Sequence, residues 1–102
     1  MNIIKRNGEE VEFDGEKIVA AVKKANKEVT DNLRLDDDGV RKVEEAVENY
    51  CASMSRAMNV EEIQDMVENE IMHAGKFELA RKYITYRYKR ALVRKSNTTD
   101  DK

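Results

Sequence analysis

The stretch KRNGEEVEFDGEK, residues 5–17, decides how this chain is read. Asn7-Gly8 is the dipeptide best suited to a type I′ turn, in which both central residues take positive φ. It separates two short β-compatible runs, IIKR and EEVEF. With a two-residue turn there, Arg6 faces Glu9, Lys5 faces Glu10, Ile4 faces Val11 and Asn2 faces Phe13, so that Ile4, Val11 and Phe13 share one face laid on a helical core. Directly afterwards Asp14 is placed to N-cap a helix to about Lys27, with Ile18, Val22, Ala25 and Val29 as its inner stripe. Lys17 then becomes the third helical residue, where a capping box would put Glu or Gln. A cation at that position opposes the helix dipole by ~0.3–1 kcal/mol. The free amides of the first turn, the Lys17 ammonium, and Lys5 and Arg6 from the hairpin together form a candidate phosphate site, since amides and cationic side chains match several phosphate oxygens at once. The competing reading pairs Lys5 with Glu10 and Arg6 with Glu9 and leaves Lys17 in water. On pattern alone both stand.

Three further helices follow. The second begins in DDDG, whose acids suit the positive end of a helix, and carries Val40, Val43, Val47, Tyr50 and Met54 as a core stripe. The third follows an Asn59 cap, has Glu61 and Glu62 in its first turn, buries Ile63, Met66, Val67 and Ile71, and stops in HAGK with Gly75 as C-terminal cap. The fourth runs from Phe77 to about Arg94, with Tyr83 in the core and Tyr88 unassigned. Residues 95–102, KSNTTDDK, read as a disordered tail or a linker. The expected fold is mostly α with a small N-terminal β-hairpin, an α+β four-helix cluster capped by a hairpin lid over residues 1–94.

Composition narrows the chemistry. At 102 residues there is one domain at most, and 39% charged residues with no Pro favour helices. One cysteine, Cys51, excludes an internal disulfide framework and a cysteine-cluster metal site, and reads as a small buried apolar residue. The single His73 excludes a histidine cluster and suits a helix C-terminus. No apolar run is long enough to span a bilayer and no secretion signal opens the chain, which points to a cytoplasmic protein. No nucleophile, base and orienting group are placed together, so no catalytic constellation is expected. Charge is strongly segregated: residues 31–72 hold twelve acidic against four basic residues, whereas residues 76–95 hold eight basic residues against Glu78 alone. The last helix is therefore expected to meet something anionic, or else the acidic helices of its own domain.

The segments IIKRNGEEVEFDGEKIVAAVKKA, NVEEIQDMVENEI and ELARKYITYRYKRA, in that order over residues 2–92, resemble the three segments that define the ATP-cone, a regulatory nucleotide-binding domain. The last matches the family's Ala-Arg, spacer and aromatic-Arg pattern through Ala80, Arg81, Tyr86 and Arg87. The resemblance implies an allosteric site for ATP or dATP, with Mg²⁺ on the triphosphate. Lys5, Arg6 and Asn7 would belong to the hairpin lid, the first two touching phosphate and base or ribose. Asp14 would meet the adenine or sugar edge, and Lys17 phosphate. Val60 and Gln64 occupy positions where some relatives place a hydroxyl and a histidine. Lys89 would reach the triphosphate with Tyr86 and Arg87 nearby. Val11 stands where some relatives carry a carboxylate, so that contact is not expected here.

The family includes the N-terminal regulatory domains of ribonucleotide reductases and a zinc-ribbon repressor. The chain starts without a four-cysteine ribbon and is most similar to the anaerobic ribonucleoside-triphosphate reductase, which implies an excised regulatory domain. Its implied partners are an adenine nucleotide, the absent catalytic domain and, through cone–cone contacts, further copies of itself. Two rival readings are a nucleic-acid-binding or transcription-regulating module using the basic last helix, and a helical protein-interaction adaptor.

Overall fold

The computed structural model describes residues 1–96. The N-terminal run pairs β1 (Asn2–Ile4) with β2 (Glu10–Glu12) in an antiparallel hairpin. Its turn differs from the type I′ expectation. Lys5 N donates to Glu9 O at 2.8 Å and Gly8 N to Lys5 O at 2.9 Å, and Gly8 alone of the pair takes positive φ, 88°. Asn7 stays at negative φ because its Oδ1 accepts the Glu9 amide at 2.9 Å, which holds the loop in a three-residue form with one left-handed glycine. The register therefore slips by one: Asn2 opposes Glu12, Ile3 opposes Val11 and Ile4 opposes Glu10. Ile3, rather than Ile4, joins Val11 on one face, and Ile3 and Phe13 pack against the core. Lys5 meets Glu9 rather than Glu10, at 3.6 Å, and Arg6 leaves the hairpin altogether to pair elsewhere.

Helix α1 (Gly15–Asn26) starts where expected, with Asp14 Oδ1 accepting from Glu16 N at 3.1 Å, and it buries Ile18, Val22 and Ala25, with Val29 just beyond. A short 3₁₀ turn, Asp31–Leu33, leads toward the second helix. Asn26 pins this connection through paired hydrogen bonds to the backbone of Leu35, 2.9 Å from its Nδ2 to the carbonyl and 3.1 Å from the amide to its Oδ1.

Helix α2 (Asp37–Ser53) is capped by Asp36. Its inner stripe is Val40, Val43, Val47 and Cys51; Tyr50 is 51% exposed, because the helical period carries the stripe from 47 to 51, not to 50. Met54 lies past the helix end, partly buried on the core. Next, β3 (Met58–Asn59) pairs parallel with β1, completing a sheet of order β2-β1-β3. Two residues of strand carry no periodic signal, and this element was not expected.

Helix α3 (Val60–His73) opens with a full capping box between Asn59 and Glu62, and it ends on Gly75, φ 79°, whose amide bonds Met72 O while Lys76 N reaches Ile71 O. Helix α4 (Phe77–Ser96) extends past Arg94, so Lys95 and Ser96 are helical; the rest of the expected tail lies outside the described residues. Each helix packs on two neighbours in the cyclic order α1, α2, α3, α4, around a core that includes Val22, Val67, Ile71, Leu79 and Tyr83. Mostly helical, with a small N-terminal sheet, the architecture is the expected α+β cluster.

Candidate functional site

Where the hairpin meets the helices, a cleft of about 940 Å³ opens between the turn, the start of α1, the first half of α3 and the exposed half of α4. Its floor is apolar, made from Ile3, Val11, Phe13, Ile18, Ala21, Ile63, Val67 and Tyr83. Its rim is cationic. Lys5, Arg6, Asn7, Asp14, Lys17, Val60, Gln64, Tyr86 and Arg87, scattered over 83 positions of sequence, all line this one cavity. Lys89 does not: it lines a separate depression between α1 and α4. Arg90 and Arg94, not singled out from sequence, line the cleft as well. The signal was present, since 83, 87, 90 and 94 continue one face of α4 at steps of three and four.

Local structure explains how each group arrives. The three-residue turn aims Arg6 across the cleft onto α3, where Nε sits 2.9 Å from Glu61 Oε2 and Nη2 lies 3.2 Å from Gln64 Oε1. The other oxygen of Glu61 accepts from Arg87 Nη2 at 2.8 Å, and Arg87 Nη1 donates to Asp65 at 2.9 Å and to Glu68. Burial alone would lower the Arg87 pKa, but hydrogen bonds to Asp65, Glu68 and Glu61 outweigh it and hold the guanidinium more firmly charged than usual. Glu61 shows the converse balance: burial raises its pKa, yet hydrogen bonding by Arg87 and the nearby Arg6 charge bring it below the usual carboxylate value.

Not every cation is neutralised. Lys17, third residue of α1 after the Asp14 cap, is exposed and forms no ion pair among the described residues. Arg94 is held below its usual pKa by burial and then by the charge of Arg6, with Glu61 offsetting part of this. Lys5, Arg6, Lys17, Arg87, Arg90, Arg94 and Lys95 line the cleft against Glu12 and Asp14, an excess of positive charge that an anion would relieve. No group of three or more His, Cys, Asp or Glu side chains able to hold a metal occurs among the described residues.

An apolar floor accepts a flat ring, and a rim of cations accepts phosphate; the combination suits a nucleotide. The ATP cone domain family model matches residues 1–92. This chain belongs to the ATP-cone family. The cone is 34% identical over 98% of its length to a ribonucleoside-diphosphate reductase subunit alpha of Chlamydia muridarum, of which it covers 10%. It is also 32% identical over 94% of its length to an anaerobic ribonucleoside-triphosphate reductase of Haemophilus influenzae, of which it covers 13%. Against the anaerobic reductase of Salmonella typhimurium it is 35% identical over 91% of its length, covering 12% of that protein. The cone thus spans about a tenth of the length of these relatives.

Within the cone, the cations Arg87, Arg90 and Arg94 line the cleft, so the basic count of α4 gives no support to a nucleic-acid reading. Among the described residues no helix is long and apolar enough to cross a membrane.

Proposed function

We propose that the cleft binds ATP or dATP as an allosteric effector and that the cone relays which of them is bound to the catalytic part of a ribonucleotide reductase. One observation carries this reading: Lys5 and Arg6 from the hairpin, Lys17 from the capped start of α1, and Arg87 from α4 surround a single cavity with an apolar floor. The adenine lies against that floor. Lys17 and Lys5 hold the triphosphate, and Arg6, Arg90 and Arg94 are within its surroundings. Asp14 serves the sugar or base edge. Val60 and Val11 offer the nucleotide no polar group, which places more of the recognition on Gln64 and the cations. Mg²⁺, when bound, screens the triphosphate and is held by its oxygens and water.

ATP and dATP differ by one hydroxyl, and a coupling of ~1–3 kcal/mol between nucleotide and conformation suffices for control. The hairpin is the element suited to respond, since Arg6 ties its turn to α3 by side-chain contacts alone. The output would be a change of association, with further cones or with the catalytic body, in the cytoplasm.

Thermal melting with ATP, dATP, GTP and a short DNA duplex tests this. Adenine nucleotides should stabilise the fold selectively, by about 2.7 kcal/mol at a hundredfold excess over Kd. Lys17→Ala should abolish the shift while leaving the ligand-free fold at least as stable as the parent. Equal stabilisation by duplex, or none by ATP, overturns the assignment. The oligomeric mass with ATP against dATP tests the output separately.

A further inference from the structure

Lys89, absent from the cleft, belongs to a second depression of about 340 Å³ on another side of α4, and its lining is unusual. Four lysines surround it, Lys24 and Lys27 one turn apart on or just after α1 and Lys82 and Lys89 two turns apart on α4, with Glu28 as the one carboxylate in the wall. Several exposed cations elsewhere do find carboxylates: Lys23 meets Asp37 at 4.0 Å, Lys42 meets Asp38 at 3.3 Å, and Arg41 meets Glu16 at 2.9 Å. None of the four lysines around this trough forms an ion pair among the described residues. The acidic helices α2 and α3 contribute nothing to its lining, so among the described residues Glu28 alone offsets the four lysines there.

Tyr86 supplies the back wall. Its ring lies under the Lys24 ammonium, 5.9 Å from nitrogen to ring centre, and it lines both this trough and the nucleotide cleft. Tyr86 is therefore a partition between two separately built sites. The ring draws one cation toward it, and three further lysines line the trough against Glu28 alone.

We infer that this trough is a second anion site, distinct from the cleft, that takes a small polyphosphate group of two or more linked phosphates. Several arguments select that class. Ammonium groups are compact charges suited to dispersed phosphate oxygens, whereas a carboxylate partner would favour the planar fork of arginine, which is missing here. The lining is lysine-rich, with less apolar surface than the cleft, which suits a phosphate chain better than a base. A trough between two helices, rather than a basic ridge, suits a discrete ligand better than a polymer backbone.

The test uses the full 102-residue chain, isotopically labelled, with inorganic pyrophosphate as probe at low salt and without Mg²⁺. Amide resonances of residues 24–28 and 82–89 should shift and saturate. Lys24→Gln combined with Lys82→Gln should weaken binding about tenfold, because each removes one exposed charge contact, whereas Lys42→Gln on α2 should leave it unchanged. GTP, which carries a triphosphate tail on a different base, separates the sources. Shifts of the same amides mean that tethered phosphates are accepted; their absence, with pyrophosphate still binding, means that the free anion is. Either supports the site. Shifts confined to the hairpin and the start of α1, or a double variant that binds pyrophosphate as tightly as the parent, overturn it. Tighter binding of a short DNA duplex by the same lysines overturns it too, in favour of a phosphodiester backbone. The result is independent of whether ATP fills the cleft.

Discussion

Arg6 in the hairpin turn and Glu61 in the first turn of α3 are joined Nε to Oε2 at 2.9 Å across 55 positions of sequence. The second oxygen of Glu61 holds Arg87 at 2.8 Å, so one carboxylate occupies two cations that line the cleft. A triphosphate entering the cleft competes with it. Glu61→Gln keeps the shape of the contact and removes its charge, so ATP affinity should rise about three- to tenfold by calorimetry. Stability should change by less than about 1 kcal/mol, because Glu61 is 55% exposed and surface ion pairs contribute little. Unchanged or weaker ATP binding would mean that Glu61 positions Arg6 for the ligand instead of competing with it.

Arg87 is a different case, since it is only 19% exposed and faces three carboxylates. Arg87→Ala leaves Glu61, Asp65 and Glu68 confronting one another, with Glu68 itself largely buried. Denaturant unfolding should show a loss of about 2 kcal/mol, less than for a fully buried pair because Glu61 and Asp65 reach solvent. Arg87→Lys retains the charge but cannot serve three acceptors at once, and should fall between the two. If Arg87→Ala proves as stable as the parent, the network contributes only to the site.

The four helices and both N-terminal caps at Asp14 and Asn59 were legible in the sequence, because periodicity and capping are local. The hairpin itself was legible but its register was not. Asn7-Gly8 serves a type I′ turn or a three-residue loop equally well, and the choice rests on whether Asn7 bonds the Glu9 amide, as it does at 2.9 Å. Tyr50 was misplaced for a related reason, since steps of three and of four from Val47 both look helical and only packing selects Cys51. That Lys5, Arg6, Lys17 and Arg87 come together on one cleft was legible by motif, but their partners were not. Nothing local links Arg6 to Glu61 or Arg87 to Asp65, and nothing sets Lys89 apart from Arg90 until α4 is laid against α1.

Gly15, the first residue of α1, sits against the Glu44 carboxylate. A Cβ built there would lie 2.1 Å from Glu44 Oε2 and 2.7 Å from Cδ. Alanine at a helix start ordinarily favours the helix, yet Gly15→Ala should destabilise the fold by about 1–2 kcal/mol, because the buried Glu44 must move. In a Glu44→Ala background the same substitution should be neutral or stabilising. Additive effects in this double-mutant cycle would show that the contact carries no energy.

Glu44 also makes stability depend on pH. Burial, then the hydrogen bond and charge of Glu48, raise its pKa against the pull of Arg41, up to about 7 from an ordinary 4.5. A carboxyl that holds its proton more tightly folded than unfolded contributes stability that is complete below the unfolded value, and loses it as pH rises toward the folded value. Glu62 runs the other way: its hydrogen bonds from Arg56 and the Asn59 amide lower its pKa to about 2, so its contribution is lost only under acid conditions. Between about pH 5 and pH 8 the Glu44 effect therefore stands apart, and the wild-type fold should weaken by about 1–3 kcal/mol as pH rises. Glu44→Gln keeps a neutral hydrogen-bonding side chain at every pH and should flatten the profile, gaining most over the parent above neutrality. Melting curves of both proteins across that range decide it, and parallel profiles would mean that Glu44 ionises freely in the folded state.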